Sequence, residues 1–154
     1  EAQYKALISK YASQNGLEYC ALSALLQKES SFNKLIVSNP PPNTVNTGIG
    51  SPPSYNVTFS TGHGIGLTQV YIYPGKTSRP GGEFGMSKAL TVQDLIDPDT
   101  SINAGSFFFG KLVKERKNNL REAYDDYQAG RGGNSDPATL SKYIDMYTSC
   151  KART

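Results

Sequence analysis

Residues 17–33 read LEYCALSALLQKESSFN, an Ala/Leu-rich run in which Leu22, Leu25 and Leu26 keep helical spacing. Seven residues on from Leu22 the stripe arrives at Glu29. An ionised carboxylate on the inner face of a helix is costly unless it is paired, and burial favours its protonated form. A carboxyl group that keeps its proton near neutral pH is a general acid. The plainer alternative makes Glu29 the last, half-exposed residue of its helix, with no chemical duty.

Upstream, Tyr4, Leu7, Ile8 and Tyr11 recur at i, i+3, i+4, i+7 and predict a first helix over residues 3–15, stopped by Asn15-Gly16. Downstream the composition changes. Asn39 to Gly64 carries Pro40-Pro41-Pro42, Pro52-Pro53 and several glycines, which excludes helix and is long for a plain connection; short strands are expected near Tyr55–Phe59. Val70-Tyr71-Ile72-Tyr73 reads as a brief strand, and Pro74 to Gly85 returns to turn chemistry. Thr91 and Asp94 predict a capping box, and Asp97-Pro98 an N-cap with its proline ahead of a long helix, Thr100–Asn119, whose core stripe is Ile102, Phe108, Leu112 and Val113. Leu120–Gln128 reads as helix up to Gly130, and Asp136-Pro137 opens a last helix through Leu140, Tyr143, Ile144 and Tyr147. No internal repeat and no linker separates two cores. The expected fold is mainly α: one helical domain over residues 1–154, with two loop-rich insertions and at most a small β element lining a cleft.

Composition agrees with one folded domain: 154 residues, 37% hydrophobic and 19% charged. Sixteen Lys and Arg against thirteen Asp and Glu leave +3, which allows an anionic partner but falls short of a nucleic-acid-binding stripe. No apolar run approaches a bilayer span, and Glu1 to Lys10 lacks the apolar stretch of a secretory signal, so a soluble chain with no membrane partner is expected. Two distant cysteines and one histidine cannot assemble a Cys/His zinc site of the usual kind. Neither a metal nor another cofactor is expected.

Four ordered blocks carry a resemblance. Glu29-Ser30-Ser31-Phe32-Asn33 resembles the catalytic-helix end of the soluble lytic transglycosylases and goose-type lysozymes, where a Glu-Ser-x-Phe-Asn run carries the acid. Gly66-Leu67-Thr68-Gln69-Val70 is similar to their Gly-Leu-Met-Gln-Ile/Val element, and Gly62-His63-Gly64-Ile65 to the goose-type lead-in. Asp97-Pro98 through Ile102-Asn103-Ala104-Gly105 resembles their Asp-Pro-x-x-Asn-Ile-x-x-Gly helix start, and Asp126-Tyr127-Gln128-Ala129-Gly130 their Ala-Tyr-Asn-Ala-Gly block. The resemblance implies an α+β lysozyme-like fold and cleavage of the β-1,4 bond between N-acetylmuramic acid and N-acetylglucosamine in peptidoglycan. It implies Glu29 as acid, substrate contacts at Ser30, Gly66, Gln69, Tyr71 and Tyr127, and Tyr127 placed against Glu29. A monomer facing the cell wall, secreted or otherwise extracytoplasmic, is expected. On the residues alone, Gly64 and Gly66 would let backbone approach a ligand, and Gln69 offers both a donor and an acceptor to sugar groups. They could equally form a glycine-rich turn with an exposed Gln, and Tyr127 could be one more core aromatic.

The chain also departs from the pattern. The interval from Glu29 to Gln69 is longer than usual, Thr68 stands for Met, Gln128 for Asn, and Tyr71 takes the place of a goose-type Asp. No acidic residue lies between Glu29 and Glu83. An inverting glycosidase needs a second carboxylate about 6.5–9.5 Å from the acid, and a retaining one a nucleophile near about 5 Å. Glu83, Asp94 and Asp97 are the candidates, although Asp97 looks committed to its cap. A single-acid route, in which the substrate's own group attacks, needs none of them; by resemblance this is the lytic transglycosylase route to a 1,6-anhydro product.

Two rival readings remain. Cys20 or Cys150 with His63 would make a thiol hydrolase, whereas a Cys20–Cys150 disulfide would staple the terminal helix to the first helices and imply an oxidising compartment. His63 is then expected in a loop at the cleft mouth. A catalytically inactive glycan-binding module of the same fold is the other alternative. Asn56-Val57-Thr58 is a formal glycosylation sequon that chance alone would supply.

Overall fold

Three helix starts carry the cap signals that predict them. In the computed structural model, which describes residues 1–36 and 62–154, α1 spans Lys5–Gln14 after a 3₁₀ turn at Ala2–Tyr4, and α2 spans Tyr19–Ser30. Gly16, at φ +67°, stops α1 in the left-handed region as predicted. The short helix α3, Val92–Ile96, has the predicted capping box, with Thr91 and Asp94 satisfying each other's backbone N–H groups. For α4, Pro98–Glu115, the Asp97 carboxylate accepts from the Thr100 amide at 3.0 Å. Asn119 caps α5, Leu120–Ala129, and Asp136 caps α6, Pro137–Arg153, with proline in its first turn. The strands are short: β1 His63–Ile65 pairs antiparallel with β2 Val70–Ile72, and β3 Ser78–Arg79 with β4 Leu90–Thr91. The fold is mainly α with small two-stranded sheets. The proline-rich stretch to Thr61, the strands expected near Tyr55–Phe59 and the sequon lie outside the described residues. Among the described residues no helix is long and apolar enough to cross a membrane.

The described residues gather into two compact units. The first comprises Glu1–Lys28 and Ser106–Thr154. Ile8, Leu22, Leu25, Leu26, Phe109, Leu112, Tyr124 and Tyr143 are among its fully buried side chains. Tyr124 and Tyr143 stack at 4.4 Å, Phe109 meets Tyr143 edge-on at 6.0 Å, and the Tyr143 hydroxyl donates to the Ala21 carbonyl. Phe109, not Phe108, belongs to the buried stripe of α4, because it lies seven residues on from Ile102; Phe108 is half-buried. Gly110 admits the Asn15 carbonyl, which would lie 2.7 Å from a Cβ there. Cys20 and Cys150 are joined by a disulfide, and both are buried. Arg116 grips the buried Asp126 through two bonds of 2.6 and 2.8 Å, and the Gly132 amide donates to the same carboxylate. The Arg116 hydrogen bond is the main cause of an Asp126 carboxyl held below its ordinary range.

The second unit, Glu29–Gly105, holds the last residues of α2, the four strands, α3 and the first half of α4. Ile65, Leu67, Leu90, Leu95 and Ile102 form its fully buried centre. The hairpin register sets His63 opposite Ile72 and Ile65 opposite Val70, with the turn Gly66–Gln69 between the strands. His63 is therefore not a loop residue at a mouth. It is a strand residue, 1% exposed, and its glycine neighbours disguise the strand because they carry no side chain to show alternation.

Candidate active site

The stripe Leu22, Leu26 continues by steps of four to Ser30, and Ser30 rather than Glu29 is the buried residue at the end of α2, at 4% exposure. Glu29 is half-buried beside it. Two tethers follow from that rotation. The Ser30 hydroxyl donates to the Leu67 carbonyl at 2.9 Å, and the Gly66 amide donates to the Ile36 carbonyl at 2.8 Å, so the chain on both sides of the helix end is tied to the β1–β2 turn. Between the tethers, Ser31 and Phe32 take φ +51° and +61°, two successive left-handed residues that are not glycine. Each resists that conformation by about 1–2 kcal/mol, and such strain persists where the surroundings over-determine it. Asn33 completes the turn, its amide donating to the Ser30 carbonyl and its side chain accepting from the Leu35 amide.

The turn itself is built for close packing. Gly66 has φ +76°, and a Cβ there would stand 2.0 Å from the Leu95 carbonyl oxygen. Its glycine makes room for the close approach of α3. Thr68, fully buried, donates its hydroxyl to the Ser101 carbonyl at 2.9 Å and meets the Ser101 hydroxyl at 3.0 Å. Gly105 on α4 makes room for it, since a Cβ there would lie 2.4 Å from that of Thr68. Sequence reasoning missed Ser101; a buried hydroxyl at position 68 called for a polar partner nearby. Gln69, at φ +53°, turns its side-chain nitrogen onto the Ile36 and Gly66 carbonyls at 3.1 and 2.9 Å.

Beyond the turn, Tyr71 and Tyr73 are the exposed large hydrophobic side chains among the described residues, 40% and 50% accessible, and their rings meet edge-on at 5.5 Å. The Arg79 guanidinium lies over the Tyr73 ring, donates to the Tyr71 carbonyl and pairs with Glu83 at 2.9 Å. The other two candidate carboxylates also hold local structure. Burial pushes the Asp94 carboxyl up, but bonds from Thr91 and Lys88 more than offset this and hold it below its ordinary range. Asp97 accepts from both the amide and the hydroxyl of Thr100. Tyr127 belongs to the other unit, half-buried, with its ring 5.6 Å from those of Phe108 and Phe109.

The family model of the transglycosylase SLT domain matches residues 6–143. The chain belongs to the transglycosylase SLT family. All four sequence blocks lie inside the matched span, and three of them, Glu29–Asn33, Gly66–Val70 and Asp97–Gly105, fall in the second unit, where bonds join Ser30 to Leu67 and Thr68 to Ser101. Among solved structures, an inactive variant of the lytic transglycosylase Slt from Pseudomonas aeruginosa is similar in fold, with a TM-score of 0.58 and 21% identity. That match covers 94% of this chain and 20% of the Pseudomonas protein. No curated protein is significantly similar in sequence.

Proposed function

We propose that the SLT chain acts as a single monomeric domain that cleaves the β-1,4 bond between N-acetylmuramic acid and N-acetylglucosamine in peptidoglycan, with Glu29 as its general acid. The observation that carries this reading is the tethered end of α2, where Glu29 stands half-buried at the head of the family's acid motif, and two strained residues follow it. The negative pole of the α2 dipole opposes a further negative charge at that position. Tyr71 offers an exposed ring for sugar stacking. Ser30 and Gly66 hold the site together rather than touch the glycan.

A single-acid route suits the carboxylates. Glu83, Asp94 and Asp97 all hold local structure, and residues 30–82 supply no acidic side chain. Glu29 gives its proton to the glycosidic oxygen as the bond from C1 of the muramoyl unit breaks. The C6 hydroxyl of the same unit then bonds to C1 and returns its proton to the Glu29 carboxylate, which leaves a 1,6-anhydro sugar and regenerates the acid. No water is consumed. The disulfide suits an extracytoplasmic setting, and the +3 charge suits an anionic wall polymer.

Glu29→Gln preserves shape and removes the proton. Clearing of a cell-wall suspension should slow by at least about 100-fold, with the melting temperature unchanged. Near-normal clearing would move the chemistry to another residue, and a wild-type chain that binds walls without clearing them would favour the inactive glycan-binding module.

A further inference from the structure

Gln69 was expected to face the sugar, and its side chain is committed elsewhere. A primary amide nitrogen carries two hydrogens. Here that nitrogen stands 3.1 Å from the Ile36 carbonyl oxygen and 2.9 Å from the Gly66 carbonyl oxygen, so both donors are taken by backbone. The amide cannot be turned over, because its oxygen would then face two carbonyl oxygens. In the observed orientation that oxygen looks toward Gly64, where a Cβ would come within 2.7 Å of it.

The Ile36 carbonyl is the point where these bonds converge, since it also accepts from the Gly66 amide at 2.8 Å. Ile36 closes the stretch that follows Glu29, and that stretch begins with Ser31 and Phe32 in the left-handed region. Strained backbone of this kind relaxes unless it is held at both ends. Ser30 on Leu67 holds the near end, and Gln69 with Gly66 holds the far end. All these groups belong to the second unit.

We infer that Gln69 is a positioning residue, a clasp that joins the Ile36 and Gly66 carbonyls and thereby sets the backbone that aims Glu29, and not a ligand for the glycan. The inference rests on Glu29 being the acid. It requires an amide at this position: a carboxylate has no hydrogen to donate, and Asn is one methylene short of the reach.

Gln69→Ala and Gln69→Glu are compared with wild type on purified peptidoglycan, the rate being followed against wall concentration. A clasp predicts a maximal rate lower by about 10- to 100-fold, the scale of misplacing a reacting group, with the half-saturating wall concentration unchanged within about twofold. A half-saturating concentration raised tenfold or more overturns the inference, because only a lost substrate contact does that. A second measurement needs no Gln69 variant. In Glu29→Gln protein, the scalar coupling across the hydrogen bond from the Gln69 side-chain nitrogen to the Ile36 carbonyl carbon is measured with and without saturating N-acetylglucosamine tetramer. The coupling should be present in both samples; its absence from the free protein, or its loss when the sugar is added, overturns the clasp. If wild-type protein leaves peptidoglycan intact, the proposed activity fails, and the coupling still decides whether the clasp exists.

Discussion

Reducing the Cys20–Cys150 bridge, or replacing both cysteines by alanine, opens a covalent closure whose ends lie 130 residues apart. In the chain-entropy account a loop of that length restricts the unfolded chain by about 5 kcal/mol at 25 °C. Unfolding entropy scales with length, so a chain of 154 residues carries about 0.3 kcal/mol per kelvin at its midpoint. The full effect is then a fall of about 15 °C, and a compact denatured state reduces it to about 8–15 °C. Calorimetry on oxidised, reduced and double-alanine protein measures it directly. The reduced and double-alanine samples should melt close together, the latter slightly lower because two buried sulfurs leave the first unit's core. A reduced protein that melts within about 3 °C of the oxidised one, or two free thiols titrated in the denatured, unreduced chain, would show that no bridge restrains the unfolded chain in this way.

Gly66→Ala forces a Cβ onto the Leu95 carbonyl at a position with φ +76°, and should cost about 3 kcal/mol or more in urea unfolding. Thr68→Val removes the hydroxyl that pairs with Ser101, and should cost about 1–3 kcal/mol by the same measurement. Asp126→Asn weakens the grip of Arg116, whose side chain is 38% exposed, so a loss of about 2–3 kcal/mol is expected rather than the larger figure for a fully buried pair. Because the native Asp126 carboxyl is held below its ordinary 3.8, its stabilisation is complete above that pH and drains away as the pH falls toward the lower native value. Unfolding midpoints from pH 7 down to about pH 3 should therefore fall less steeply in Asp126→Asn than in wild type.

Local signals carried most of the helices. Thr91 with Asp94, Asp97-Pro98 and Asp136-Pro137 announce three helix starts because caps act within a turn of the backbone they satisfy. What escaped was whatever depends on a partner distant in the chain. His63 reads as loop until Ile72 pairs with it, and Gln69 reads as a sugar ligand until Ile36 comes within reach of its amide. Phe108 and Phe109 are adjacent, so one error of phase in α4 exchanges core for half-buried surface; counting seven from Ile102 resolves it. The same counting by fours from Leu22 finds Ser30 as the buried residue and leaves Glu29 half-exposed at its side.

Mass analysis of the muropeptides released from purified walls by wild-type and Glu29→Gln protein reads out the proposed single-acid cleavage by Glu29 in its products. Wild type should release fragments ending in 1,6-anhydro-muramic acid, lighter by one water than the hydrolytic fragments, and Glu29→Gln should release almost none. Reducing-end muramic acid as the dominant product would contradict the single-acid route and return Glu83 and Asp94 to consideration as the second carboxylate. Anhydro fragments from Glu29→Gln at the wild-type rate would contradict the assignment of the acid itself.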